Sequence, residues 1–296
     1  MQSELKQFIE EYTLQINATL LAALEERKER MPQTLYESML YSIEAGGKRI
    51  RPLLVLATLE DLNVHSKDAL KAAAAIELIH TYSLIHDDLP SMDDDDLRRG
   101  KPTNHKVYGE AMAILAGDGM QTLAFELLTE LRETDVRTCL ELSRLLAVAS
   151  GSSGMVGGQV LDIEGEGQSL TLEELQLIHK NKTGALLSCS IQFGAILANL
   201  EDEKMQAIEN YAKHIGIAFQ IQDDILDVTA TTEQLGKNAG SDLTSDKTTY
   251  PMLLGLEKAK EQLSYHHEEA NQSLAFLNKE RPLLALFANY IVNRAF

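Results

Sequence analysis

Six of the ten residues from Asp87 to Asp96 (DDLPSMDDDD) are aspartates, and three more stand at Asp223, Asp224 and Asp227 in the run DDILD. Both clusters follow strongly apolar stretches, ELIHTYSLIH and IGIAFQIQ. Carboxylates at the ends of buried segments repel one another unless a cation lies between them. Two such clusters facing one cavity would hold several hard divalent ions, Mg²⁺ above all, with phosphate oxygens completing the coordination shell.

The spacing says which carboxylates can cooperate. On a helix Gln220, Asp223 and Asp227 stand at i, i+3 and i+7, within about 60° of one another, and Asp224 lies nearby. Like charges so placed destabilise an isolated helix, so a compensating cation is expected. The alternative is a solvated acidic stripe, but Ile221, Ile225, Leu226 and Val228 set this turn against a core. In the first cluster His80 and Asp87 are also cofacial. Pro90 should end regular helix near Asp88, after which Asp93 can turn back toward Asp87. Asp94 to Asp96 are expected to be solvated, and His86 to be a neighbour rather than a ligand. His80 is either a satisfied core histidine or a hydrogen-bond donor to phosphate.

Basic residues come in short groups beside breaks between helices: Lys48-Arg49-Ile50-Arg51, Arg98-Arg99, Lys180 with Lys182, Lys237 and Lys247. Gly46-Gly47 before Lys48 lets backbone approach a ligand closely. Arg98 and Arg99 taken alone would read as a salt-bridged loop. Five basic groups beside two metal-type clusters fit a polyphosphate site better. No nucleophile stands with a base, and there is no Walker A loop or Rossmann glycine pattern. The chemistry is therefore expected to be electrostatic, with metal ions and cations stabilising charge on a leaving diphosphate.

The elements that must position these groups read as helices. Leu5, Phe8, Ile9, Tyr12 and Ile16 step at helical spacing, as do Ile208, Tyr211, Ile215 and Phe219. Ala69 to Ile85 is apolar almost all round, as a helix inside the protein is. Thr171-Leu172-Glu173-Glu174 is a capping-box start. Strand alternation is almost absent, and no linker or low-complexity segment divides the chain. The 296 residues read as one all-α domain over 1–296, of about ten helices. The net charge of -18 argues against nucleic acid or an anionic membrane surface as a partner. The eighteen uncharged residues from Thr183 to Leu200 carry Ser188, Ser190, Gln192 and Asn199, so a buried helix is expected there and no stable membrane insertion. Cys139 and Cys189 suggest two buried thiols in a reducing compartment. The N-terminus has neither a basic region nor a continuous apolar stretch of the secretory type, so the expected address is cytoplasmic.

Several longer motifs run through the chain: GGKRIRP (Gly46 to Pro52), HTYSLIHDDLPSMDDDDLRRGKPTNH (His80 to His105), GGQVLDI (Gly157 to Ile163), Lys182-Thr183-Gly184, FQIQDDILD (Phe219 to Asp227), LGK and DKTTYP. With them the chain resembles the short-chain trans-polyprenyl diphosphate synthases over nearly its whole length, and its bacterial farnesyl-forming members most. The resemblance implies an all-α isoprenoid synthase fold around a central cavity, usually a homodimer, with three Mg²⁺ ions. Asp87, Asp88 and Asp93 would share two ions, and Asp223, with Asp227, would hold the third. Arg98, Lys182, Lys237 and Lys247 would grip the allylic diphosphate. Lys48, Arg51, His80 and Arg99 would hold isopentenyl diphosphate, and Thr183 and Gln220 would line the reacting centre. Gln159 and Asp162 would support Lys182. The implied reaction condenses isopentenyl diphosphate with dimethylallyl and geranyl diphosphate to farnesyl diphosphate through an allylic cation. Tyr82, five residues before Asp87, would be the floor that limits the product, although a helical wheel places its neighbour Ser83 nearer the face under Asp87.

A geranylgeranyl-forming enzyme shares these motifs. A class I terpene cyclase would share the first cluster but would have no use for GGKRIRP. An acidic helical Ca²⁺ binder would fit the charge and leave the basic groups without a purpose.

Overall fold

Helical periodicity becomes helix over most of the described residues. The computed structural model describes residues 3–229 and 248–294. The helices are α1 (Ser3–Glu25), α2 (Gln33–Glu44), α3 (Ile50–Asp61), α4 (Ala69–Asp87), α5 (Asn104–Tyr108), α6 (Glu110–Thr129), α7 (Val136–Ser150), α8 (Met155–Gly165), α9 (Leu172–His179), α10 (Ala185–Leu197), α11 (Asp202–Thr229), α12 (Tyr250–Leu254), α13 (Leu256–Ser273) and α14 (Leu283–Asn293). Among the described residues twelve of these have eight residues or more, against about ten expected. The sequence breaks mark loops well, but they hide the extra divisions among short helices.

The apolar pattern explains the layering. α4 is buried on all sides, with Ala72 to Ala75, Ile76, Leu78 and Ile79 fully enclosed. It is packed by α1, α3, α6 and α10. α10 takes up the uncharged stretch and is a core helix, with Leu186, Leu187, Cys189, Ile191 and Phe193 buried. α11 lies across α10 and is covered by α13 and α14. No helix among the described residues is long and apolar enough to cross a membrane. One contiguous hydrophobic cluster draws on helices from α1 to α14. Cys189 is buried, but Cys139 is only partly so: it packs against the edge of the core near the start of α7, with Sγ 3.6 Å from Thr134 O.

Local chemistry sets the helix ends. Thr171 and Glu174 form the reciprocal capping box at the start of α9. Asp135 caps α7 through the amides of Arg137 and Thr138. Asp61, at the end of α3, accepts the first two amides of α14, from Leu283 at 2.9 Å and Leu284 at 2.8 Å. That bond ties the last helix to the one that begins with the GGKRIRP motif.

Among the described residues strands are confined to one feature that the sequence did not announce. Leu97–Arg98 (β1) pairs antiparallel with Lys101–Pro102 (β2). Arg99 and Gly100 turn between them with φ of 54° and 76°, the paired positive values of a two-residue hairpin turn.

Replacing Asp61 by Ala leaves two buried amides without an acceptor. We expect a loss of about 2 kcal/mol in urea unfolding; a change below about 0.5 kcal/mol would show that α14 is held by packing alone.

Candidate active site

The first aspartate cluster sits where a buried helix ends. α4 stops at Asp87 and Asp88 is its C-cap, as Pro90 requires. The chain then reverses: Met92 N–H donates to Leu89 O at 2.8 Å, and Asp93 N–H donates to Asp87 O at 2.9 Å. Asp93 is thereby folded back over the helix end that carries Asp87. Asp94 to Asp96 are exposed, with Asp95 paired to Arg98 and Asp96 to Lys106.

Electrostatically this helix end is costly. Burial, with repulsion from Asp93 and Asp88, raises the Asp87 carboxyl to about 6, against attraction from Lys182 and Arg98. Burial also raises Asp88, which Arg98 partly offsets through an Nε–Oδ1 bond of 2.6 Å. Just beneath, Tyr82 is buried and meets His86 edge-on at 5.6 Å. Asp87 contributes to raising the Tyr82 phenol, after burial. The Ser83 hydroxyl is turned to its own helix, on His80 O at 2.9 Å. His86 bonds to the backbone of Ile114 at 3.1 Å.

The GGKRIRP group divides by direction. Lys48 is exposed. Arg49, in the left-handed conformation at φ 50°, turns inward and pairs with Glu77 at 2.6 Å. Arg51 faces His80, with Nη1 3.3 Å from Nε2. Burial and the Arg51 guanidinium hold His80 well below its usual pKa, so its ring is neutral and Nε2 accepts from Arg51. Burial lowers Arg51 to about 10, against attraction from Glu77 and Asp223. Arg99, on the hairpin turn, donates to Gly46 O and lies so close to Gly47 that a Cβ there would strike its guanidinium.

The second cluster lies on α11. Asp223 is half-exposed and paired with Arg294 at 2.6 Å. Arg294 also donates to Phe219 O at 2.9 Å and stacks over the Phe219 ring at 3.8 Å. The cation that like-charge spacing demands is thus, in this structure, a guanidinium from the end of the chain. Asp224 is turned aside: it accepts from Tyr250 N at 2.8 Å and lies 3.9 Å from His179 Nε2. Asp227 is buried and Gln220 is half-buried on the Asp223 face. Lys237 and Lys247 lie outside the described residues.

Between α9 and α10 the helix continues through a π-helical stretch, Lys180–Gly184. Such widened turns mark functional positions in many helices. Here the stretch carries Lys182 and Thr183. α8 approaches it so closely that a Cβ at Gly158 would fall on the Lys182 backbone. Asp162 of α8 pairs with Lys182 at 2.7 Å.

Each cluster has its own cations. Lys182 and Arg98 act on Asp87. Asp223 acts on Arg51 and Lys48, and Arg51 touches His80, on the helix that carries Asp87. Among the described residues no three His, Cys, Asp or Glu side chains are gathered to hold a metal unaided. The residues nonetheless fit hard divalent ions. Their donors are carboxylate oxygens, and the raised Asp87 carboxyl is one whose ionised form a dication would stabilise. Ligand oxygens would have to complete the shell.

Sequence reasoning missed Arg294, Glu77 and the π stretch. Only Glu77 left a trace, as one of the few charges in the apolar run of α4.

The family description "Polyprenyl synthetase" matches residues 32–279. The chain is 52% identical over 266 residues to the farnesyl diphosphate synthase of Bacillus subtilis (strain 168), covering 89% of this chain and 90% of that one. It is 46% identical over 296 residues to the geranylgeranyl diphosphate synthase of Cyanophora paradoxa, covering 95% and 98%. Among solved structures, an FPP/GFPP synthase from Zymomonas mobilis superposes with a TM-score of 0.86 at 39% identity, covering 99% of this chain and 100% of that one.

The Asp87 carboxyl titrates higher in the folded chain than in the unfolded one. Its ionised form is therefore a cost, absent below about pH 4 and fully present above about pH 6. Without metal, Asp87→Asn should raise stability by roughly 1 kcal/mol at about pH 7.5, and the gain should vanish near pH 4. A variant less stable than the parent at the higher pH would contradict this electrostatic account.

Proposed function

We propose that this chain, which belongs to the polyprenyl synthetase family and is a trans-prenyltransferase, forms farnesyl diphosphate from isopentenyl diphosphate with dimethylallyl and geranyl diphosphate. The observation that carries the reading is carboxylates that burial makes costly to ionise, with guanidiniums held close to them. Costly carboxylates end α4 and face along α11, while Arg51, His80 and Arg99 gather beside the Gly46-Gly47 turn.

In this proposal Asp87, Asp88 and Asp93 would hold two Mg²⁺ ions and Asp223, with Asp227, would hold a third. Bound Mg²⁺ would neutralise the negative charge that grows on the allylic diphosphate as it leaves. For Asp223 to take that role, Arg294 has to give up its carboxylate. Arg98 and Lys182, with Lys237 and Lys247, grip the leaving diphosphate. Asp162 keeps the Lys182 ammonium in place. Lys48, Arg51, His80 and Arg99 hold the diphosphate of isopentenyl diphosphate. A neutral His80 suits this work, since it adds a hydrogen bond without competing for a proton. The allylic C–O bond breaks and its electron pair leaves with the diphosphate. The double bond of isopentenyl diphosphate forms the new C–C bond, while Thr183 and Gln220 turn oxygens toward the cation. The released diphosphate removes the proton, so no protein base is needed.

Tyr82 supports the farnesyl product, because its buried ring lies on α4 within reach of the Asp87 charge, where it can stop a growing chain. The geranylgeranyl reading has support in the 46% identity to the Cyanophora paradoxa enzyme. A product assay with isopentenyl and dimethylallyl diphosphates separates them: farnesyl diphosphate as the main product is expected, and geranylgeranyl diphosphate would favour the second reading. Tyr82→Ala should shift products to geranylgeranyl length or beyond; unchanged products would place the floor elsewhere.

A homodimer, a cytoplasmic address, and substrates rather than nucleic acid or membrane as partners belong to the same proposal. Ile114 and Leu115 on α6 and Val136, Leu140 and Val148 on α7 are exposed, an apolar surface that a second copy would cover. Sedimentation should give about twice the chain mass, and a monomer at micromolar concentration would contradict it.

A further inference from the structure

Glu77 is one of the most deeply buried carboxylates of the described chain, 1% exposed, on α4 one turn before His80. One of its oxygens accepts from Arg49 Nη1 at 2.6 Å. Arg49 is well satisfied in other ways: Nε donates to Asn17 Oδ1 at 2.9 Å and Nη2 donates to Ile43 O at 2.8 Å. The second oxygen of Glu77 is buried with no hydrogen-bond partner. So is Nε of Arg51. Two buried polar atoms left open, one an acceptor and one a donor, are costly to keep.

Their charges are coupled. Glu77 is the strongest attraction acting on the Arg51 guanidinium, and it acts on Arg99 as well. Burial and these cations leave His80 neutral, so Glu77, paired with Arg49, is the α4 carboxylate that attracts Arg51 and Arg99 most. We propose that Glu77 is a positioning residue for the second diphosphate: beyond pairing with Arg49, its carboxylate holds Arg51, and with it Arg99, in the orientation that binds isopentenyl diphosphate. The inference rests on the proposed reading that Arg51 and Arg99 take that diphosphate.

Charge and position predict opposite outcomes, which makes the role testable. Removing a negative charge near an anion site would strengthen anion binding if charge alone mattered. Loss of orientation weakens it, since small misplacements of binding groups are expensive. The experiment is steady-state kinetics of the full chain as Glu77→Gln and as Arg49→Gln/Glu77→Gln, varying each substrate in turn. The double variant removes one charge of each sign, so it keeps the core's charge balance should the single variant fold poorly.

In both variants KM for isopentenyl diphosphate should rise about tenfold or more, while KM for the allylic diphosphate changes less than about twofold. An unchanged or lower KM for isopentenyl diphosphate in Glu77→Gln overturns the inference. So does recovery of the parental value in the double variant, which would leave Glu77 as a counter-ion for Arg49. The parent protein separates the two levels: if it fails to consume isopentenyl diphosphate, the reading of the site fails first. If it condenses normally and the variants keep its KM, only the role of Glu77 fails.

Discussion

Negative charge held at the ends of buried helices is the constraint around which this molecule is arranged. α4 is enclosed on every side and ends in Asp87 and Asp88, with Asp93 folded back upon them. α11 brings Asp223 and Asp227 onto one face. The structure meets this burden in three ways. Asp87 is raised toward protonation, Asp88 is neutralised by Arg98, and Asp223 by Arg294. Each is a provisional arrangement: a proton and a guanidinium can yield to a stronger cation, and a carboxylate freed from Arg98 can accept one. The burial that makes the ionised groups unfavourable is what would make them strong ligands for divalent ions with phosphate oxygens.

The scaffold is organised to keep both sides of this balance in register. α3 begins at the basic group and ends at Asp61, which holds the first turn of α14. α14 leads to Arg294, which returns to Asp223. The helix that grips one end of the site is thus bonded to the helix that occupies the other. α8 makes a similar connection, with Gly158 letting it press on the π stretch and Asp162 fixing Lys182. Little of this adds to stability in a simple sense, since the buried Arg49–Glu77 pair, the idle Glu77 oxygen and the raised Asp87 are all costs. A hydrophobic cluster drawing on helices from α1 to α14 outweighs them.

The parts of this arrangement governed by neighbouring residues could be read from the sequence. The end of α4 at Asp88, the return of Asp93, the capping box at Thr171 and the shared face of Asp223 and Asp227 all follow from local spacing, and the structure has each. Parts that depend on distant contacts could not be read. Arg294 meets Asp223 across the fold, and nothing in NRAF announces it. The same distance effect separates Arg49 from Lys48 and Arg51: only the structure shows that the middle residue of this basic group turns inward to Glu77. The hairpin that aims Arg99 at Gly46 is a short pairing of two residues a strand, too brief for alternation to reveal, although Arg99-Gly100 is a legible turn. The π stretch has no signature at all beyond its Gly184. The short helices α5 and α12 are cut from α6 and α13 by single glycines, Gly109 and Gly255, at φ 83°, too slight a signal to separate them, and Cys139 is partly exposed where a buried thiol is expected.

The claim that everything rests on is that the acidic clusters form a cation site only together with a diphosphate. It is tested most directly by titrating the protein calorimetrically with Mg²⁺, with inorganic pyrophosphate, and with Mg²⁺ in the presence of pyrophosphate. The account predicts weak binding of either alone and at least about tenfold tighter binding together, with the gain lost in Asp87→Asn and in Asp223→Asn. Mg²⁺ that binds equally well without pyrophosphate, or a gain that survives both substitutions, would contradict it.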